Sequence, residues 1–206
     1  MFPVLALLFG CASLGSFQTA RPLPKGAVEA AVEPSVFASY APLGGGFIVP
    51  TAKIAVRYGV SDRVDLGLRG GLGIPEVMGR IALTDPNGDS VISLAPTVGA
   101  WKGTTRGVAL LYGQGQLPLL IDLPVGEHAV ILGPRLLFGV GREPDIGTWG
   151  LAILGGSSFG FAARVGPLTL LPEATVATAL LGTGSGGSQV GGLAFQFGSA
   201  VILEFP

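Results

Sequence analysis

An all-β fold, closed into an antiparallel transmembrane β-barrel, is what three features of this sequence predict. Apolar residues alternate with small or polar ones along most of the chain, the period of a strand rather than of a helix. Only 12% of the 206 residues are charged while 49% are apolar, which leaves more apolar surface than a soluble domain normally exposes. Finally, the 35 glycines count against helices, whose interiors glycine weakens. A net charge of −1 offers neither a nucleic-acid footprint nor a polybasic membrane patch.

The N-terminal element is a short apolar run, Phe2 to Gly10, followed by Cys11, Ala12 and Ser13. Residues 1–10 read as a signal peptide; the run is short and lacks a leading Lys or Arg, as if its start were truncated. The stretch Leu7-Leu8-Phe9-Gly10-Cys11 resembles a lipobox, and that resemblance implies that Cys11 is lipidated. The alternative is a plain signal peptide with an incidental cysteine. As the single cysteine, Cys11 cannot form an intrachain disulfide. Residues 11–25 then form a lipidated N-terminus and tether, and residues 26–206 the barrel domain.

About ten strands are expected, with eight as the other count, near 26–40, 50–60, 63–73, 76–84, 90–101, 107–121, 127–140, 148–165, 168–180 and 189–205. The last run shows the pattern best. Leu193, Phe195, Phe197, Val201, Leu203 and Phe205 share one face, opposite Ala194, Gln196, Gly198, Ala200, Ile202 and Glu204. Turn residues separate the runs at Ser61-Asp62, Asp85 to Asp89, Pro124 to Gly126 and Gly166-Pro167. Pro96, Pro118, Pro134 and Pro172 are expected at bulges or strand ends. Residues 146–163 carry no charge over a span that could cross a bilayer as a helix, but their glycines and alternation favour a strand.

The lead-in from Gln18 to Gly26, the alternating Ala27 to Ala38 and the Tyr58 to Gly67 hairpin resemble small bacterial outer-membrane barrel families, some of them lipobox-bearing. The nearly terminal Phe205 resembles their C-terminal strand signal, and Ala12 after the cysteine resembles lipoproteins sent to the outer membrane. This resemblance implies an outer-membrane location, with lipid and the barrel assembly machinery as partners. An even strand number puts both termini in the periplasm. Such families share a fold without sharing one activity.

The candidate site is the charge on the minor face. Acids Glu29, Glu33, Asp65, Glu127, Glu173 and Glu204 balance bases Lys53, Arg57, Arg69, Arg80, Arg135 and Arg164 in number. In a closed barrel they are expected to pair within the lumen, since unpaired charge there is costly. Arg57 and Asp65 fall opposite, or one diagonal step apart, across the first hairpin, so Arg57 is expected to bridge acids from flanking strands, with Glu29 and Glu204 near by. Catalysis finds little support. The single histidine, His128, shares parity with Val130 and Leu132 on the apolar face, and Ser157 and Ser158 have no base in view. The glycine-rich run 182–187 lacks the Lys-Ser/Thr of a phosphate loop and reads as a hairpin loop. No cofactor, metal or nucleic acid is expected. The expected role is structural, anchoring or minor solute passage; carriage of an apolar ligand is the alternative, and a hydrolase or acyltransferase comes third.

Overall fold

Alternation decides the architecture because every strand here has one apolar face and one small or polar face, and only a closed sheet keeps them apart without leaving an edge. In the computed structural model, which describes residues 14–41, 45–72, 74–105, 108–143, 148–183 and 192–206, the strands are β1 (Val28–Ala41), β2 (Gly45–Ser61), β3 (Val64–Gly71), β4 (Glu76–Ala82), β5 (Val91–Leu94), β6 (Thr97–Thr105), β7 (Val108–Val125), β8 (His128–Glu143), β9 (Thr148–Val165), β10 (Leu168–Thr183) and β11 (Leu193–Phe205). Neighbours pair antiparallel throughout, and β1 closes against β11 from Val28↔Phe205 to Tyr40↔Leu193.

The eleven segments make a closed barrel of ten strands, because β5 and β6 are two halves of one strand. Both pair with β4 and with β7, and the register runs unchanged from Ile81↔Leu94 to Glu76↔Gly99 and from Val91↔Asp122 to Thr97↔Gln116. The break falls at Ala95-Pro96, where proline has no N–H to give. The neighbouring groups are still used: Gly79 N donates to Pro96 O at 2.9 Å and Ala95 N to Pro118 O at 3.0 Å.

The prolines correct one expectation. Pro118, Pro134 and Pro172 lie inside β7, β8 and β10 rather than at bulges or ends, and Pro34 lies inside β1. Each interrupts pairing on one side only, and the register resumes unshifted: β1 and β11 skip from Val32↔Val201 to Ser35↔Gly198, and β9 and β10 from Leu170↔Ala163 to Glu173↔Gly160. A missing donor thus costs one ladder step on one side, which a long strand tolerates. The uncharged stretch read against a helix is β9, and no helix among the described residues could cross a membrane.

Outward residues are large and apolar. Phe197, Leu68, Ile54 and Phe159 are 66%, 66%, 61% and 56% exposed. Inward ones are small or charged, with Ala31, Ala55, Ala162 and Ala200 buried. Val28 and Phe205 stand opposite each other at the end of the barrel that also carries the tight turns Asp62-Arg63, Gly126-Glu127 and Gly166-Pro167, here termed the turn end. Gly126 and Gly166 adopt φ of 61° and 58°, the conformation that two-residue hairpin turns ask of glycine.

The largest departure from the sequence reading concerns residues 14–25. Over its described part, the expected tether does not lie outside the barrel. Leu14, Ser16, Phe17, Gln18, Ala20 and Leu23 are buried within the lumen, and the segment descends to the turn end, where Gly26 N donates to Gly59 O at 2.8 Å. The physical reason is space: small inward alanines leave a volume that apolar Leu14 and Phe17 fill. Gly59 admits the chain, since a Cβ there would meet the Pro24 carbonyl oxygen at 2.0 Å. Cys11 lies outside the described residues.

Candidate functional site

Period two delivers the site. Odd positions of β1, β2 and β3 face inward, as do even positions of β4 and β11, so charges from distant parts of the sequence meet in one lumen. Arg57 pairs with Glu29 and places Nη2 3.9 Å from Glu33 Oε1. Glu33 in turn lies 3.4 Å from Arg69 Nη1, Arg69 Nε binds Glu76, and Glu76 Oε1 accepts from Lys53 Nζ at 3.0 Å. These six side chains form one continuous network, each no more than about 4% exposed. Asp65 pairs with Arg80 at 2.6 Å, Glu173 with Arg135 at 3.3 Å, and Asp122 with Arg164 at 3.3 Å. Charge is therefore neutralised locally, as a poorly hydrated interior requires.

Several expectations are corrected. Glu127 is exposed in the turn between β7 and β8, outside the lumen, because the strands end sooner than parity alone suggested. Glu204 keeps the inward parity, opposite Glu29 in register, but lies exposed at the turn-end mouth and forms no ion pair among the described residues. Arg57 does not bridge to Asp65. Arg57 stands against Gly67 and Asp65 against Gly59, one diagonal step apart as expected, yet Asp65 takes Arg80 from β4 while Arg57 takes two acids of β1. Two members escaped the sequence reading. Glu76 shares its parity with Arg80, which is the signal that finds it; Asp122 lies just past the expected end of its strand at 121. His128 is half-buried beside Phe161, ring to edge at 5.7 Å. Ser158 accepts a hydrogen bond from Arg135.

The lumen holds the N-terminal segment mainly by its backbone. Gln196 Oε1 accepts from Leu14 N at 2.5 Å and from Gly15 N at 2.8 Å. Glu173 accepts from Ser16 N at 3.0 Å and Phe17 N at 2.8 Å. Arg69 Nη1 donates to the carbonyls of Gly15 and Ser16 at 3.2 and 3.1 Å, and Arg135 donates to that of Leu14. Lower down, Arg80 Nη1 reaches Thr19 O at 2.8 Å, Ser93 reaches Ala20 O, and Leu23 N donates to Asp65 at 3.1 Å. At the mouth Arg21 binds the carbonyls of Pro86 and Gly88 in the turn after β4. A cavity of about 490 Å³ remains there, lined in part by Arg21, Asp62, Arg164 and Glu204. Among the described residues, paired charges and the N-terminal segment together occupy the lumen.

No protein-family profile and no curated protein matches this sequence. Among solved structures, Neisserial surface protein A is 10% identical, with 88% of this chain and 100% of that one covered, at a TM-score of 0.46. The translocator domain of the autotransporter NalP from Neisseria meningitidis is 12% identical, covers 89% of each chain and has a TM-score of 0.47. The outer membrane protease OmpT from Escherichia coli is 10% identical over 92% of this chain and 100% of that one, at 0.36. The barrel assignment itself rests on the strand register described above.

Proposed function

We propose that this chain is a non-enzymatic bacterial outer-membrane barrel with a structural or anchoring role, inserted by the barrel assembly machinery and closed to solutes in its resting state. The observation that carries the reading is the lumen's content: paired charges and an N-terminal segment occupy the path that a solute would take. The continuous apolar exterior supports a lipid surroundings, and an even strand number then favours periplasmic ends for β1 and β11. Carriage of an apolar ligand is the weaker reading, because the interior it would occupy is lined with ions. In planar bilayers the refolded mature chain is expected to remain silent. Discrete, reproducible conductance steps from the untreated chain would overturn closure and favour solute passage.

Acylation of Cys11 belongs to the same reading, supported by the Leu7 to Cys11 run. Three extended residues span at most about 11 Å, so an acylated Cys11 and a lumen-bound Leu14 constrain each other closely. Metabolic labelling with a clickable fatty acid is expected to mark the wild type and to be lost in Cys11→Ser. Label retained in that variant, or a mature N-terminus several residues beyond position 11, would refute acylation.

A further inference from the structure

We infer that the lumen is a binding site for a peptide, and that residues 14–23 are its exchangeable occupant in cis. This inference rests on the closed-barrel reading above and adds a ligand class to it.

Three observations carry it. First, the lumen recognises main chain. Gln196, Glu173, Arg69, Arg135, Arg80, Ser93 and Asp65, all buried, address N–H or carbonyl groups of the segment. Side-chain polar contacts to these residues come only from Ser16 and Thr19 among the described residues. Backbone recognition of this sort tolerates different sequences, with specificity left to a few pockets. Second, the pockets are two. Phe17 inserts among Ala31, Met78, Leu120 and Leu171, while Leu14 enters a separate cluster with Phe37, Leu137 and Leu154. Third, the remaining match is poor. The Gln18 amide is fully buried, yet neither its oxygen nor its nitrogen finds a hydrogen-bond partner among the described residues. An unpaired buried amide costs about 1–3 kcal/mol, so the Gln18 side chain contributes nothing to the segment's hold in the lumen.

The ligand class follows: a peptide uncharged over the positions of residues 14–20, with a large aliphatic residue, two small residues and an aromatic in the order of Leu14, Gly15, Ser16 and Phe17, and a basic residue at the position of Arg21 for the mouth carbonyls. Gly15 is set by the segment's own fold, since a Cβ there would meet the Phe17 ring, and Ser16 by Glu173, which accepts from both its N–H and its hydroxyl. The site accepts such a peptide in trans when its own segment leaves.

Lys25 is exposed at the turn end, whereas Lys53 is buried and Lys102 lies within β6. A lysine-specific protease applied to the refolded full chain therefore cuts after Lys25 and leaves the segment held only by the contacts described. A variant with a specific protease site inserted between Lys25 and Gly26 gives the same cut if Lys25 resists. A fluorescent peptide with the sequence of residues 14–25 is expected to replace the nicked segment, read by anisotropy. Methylating the Phe17 amide nitrogen, which removes its bond to Glu173, should weaken binding about tenfold or more. Phe17→Ala in the peptide should weaken it at least as much, and Gln18→Ala should change it less than about twofold. No exchange over days, in a barrel that still migrates as folded on unheated gels, would overturn the inference. So would a Gln18→Ala peptide weakened as much as the methylated one. Conductance of the uncut chain would instead refute the closed-barrel reading, so the two failures are distinguishable.

Discussion

Arg69→Ala is expected to lower the unfolding free energy by about 3–5 kcal/mol, because removing one partner strands buried charge. Arg69 is 2% exposed and serves two acids at once, Glu33 and Glu76, while its Nη1 also holds the carbonyls of Gly15 and Ser16. Its loss leaves Lys53 as the one remaining base on Glu76 and Arg57 as the one on Glu33 among the described residues. Urea titration in detergent, followed by tryptophan fluorescence, measures the loss. The double variant Arg69→Ala/Glu33→Ala is expected to recover part of it, since it removes one of the stranded carboxylates. Strictly additive losses would show that the two groups are not coupled and that the network is a coincidence of packing.

Phe197→Arg is expected to cost about 2–4 kcal/mol if the side chain lies near the bilayer midplane. Phe197 stands mid-strand, paired with Val36 on β1 and Ala174 on β10, and is 66% exposed to the barrel exterior. Folding titrations into lipid vesicles, with Phe197→Leu as the reference, measure the penalty; a loss below about 0.5 kcal/mol would show that this face does not meet lipid. The opposite face carries a corrected expectation. Parity alone suggests that Arg at Ala200 is the milder change, provided that the lumen has room. It has none: Ala200 is fully buried in the same cluster as Phe17 and Ala31. Ala200→Arg should therefore displace the N-terminal segment and be no milder than Phe197→Arg.

What the sequence displays depends on how local the cause is. Strand faces are local, so the outward Leu193, Phe195, Phe197 and Val201 are legible by alternation alone, as is the inward placement of Glu29, Glu33, Lys53 and Arg69. Pairing between those inward charges is less local. Arg57 and Asp65 share the lumen one diagonal step apart, as parity requires, yet acids of β1 and a base of β4 take them as partners instead. Strand ends are weakly encoded, which is why Glu127 reads as a lumen residue and Asp122 does not, and why the exposure of Glu204 at the mouth is not foreseen. The N-terminal segment lies beyond sequence reading altogether. Leu14 to Thr19 show no period, and their fate is decided by side chains such as Glu173, 157 positions from Ser16. Even Gly59, whose missing Cβ admits Pro24, reads from sequence as one more turn glycine.

The position of that segment also constrains the order in which the molecule can assemble. It directly precedes β1, and β1 forms the seam with β11, so the peptide lies inside a cylinder whose final joint is made by its own neighbour. A sheet that had already closed would have to admit the peptide through the turn-end mouth, past Arg21 and the turn at Pro86 to Gly88. A sheet that is still open can instead curl around it, with Glu173 and Gln196 on the late strands meeting Leu14 to Phe17 as they arrive. Contacts of such long sequence separation form late, after the loop entropy that opposes them has been overcome. The peptide then acts as a mandrel, and the beginning and end of the chain are the last parts of the molecule to find each other.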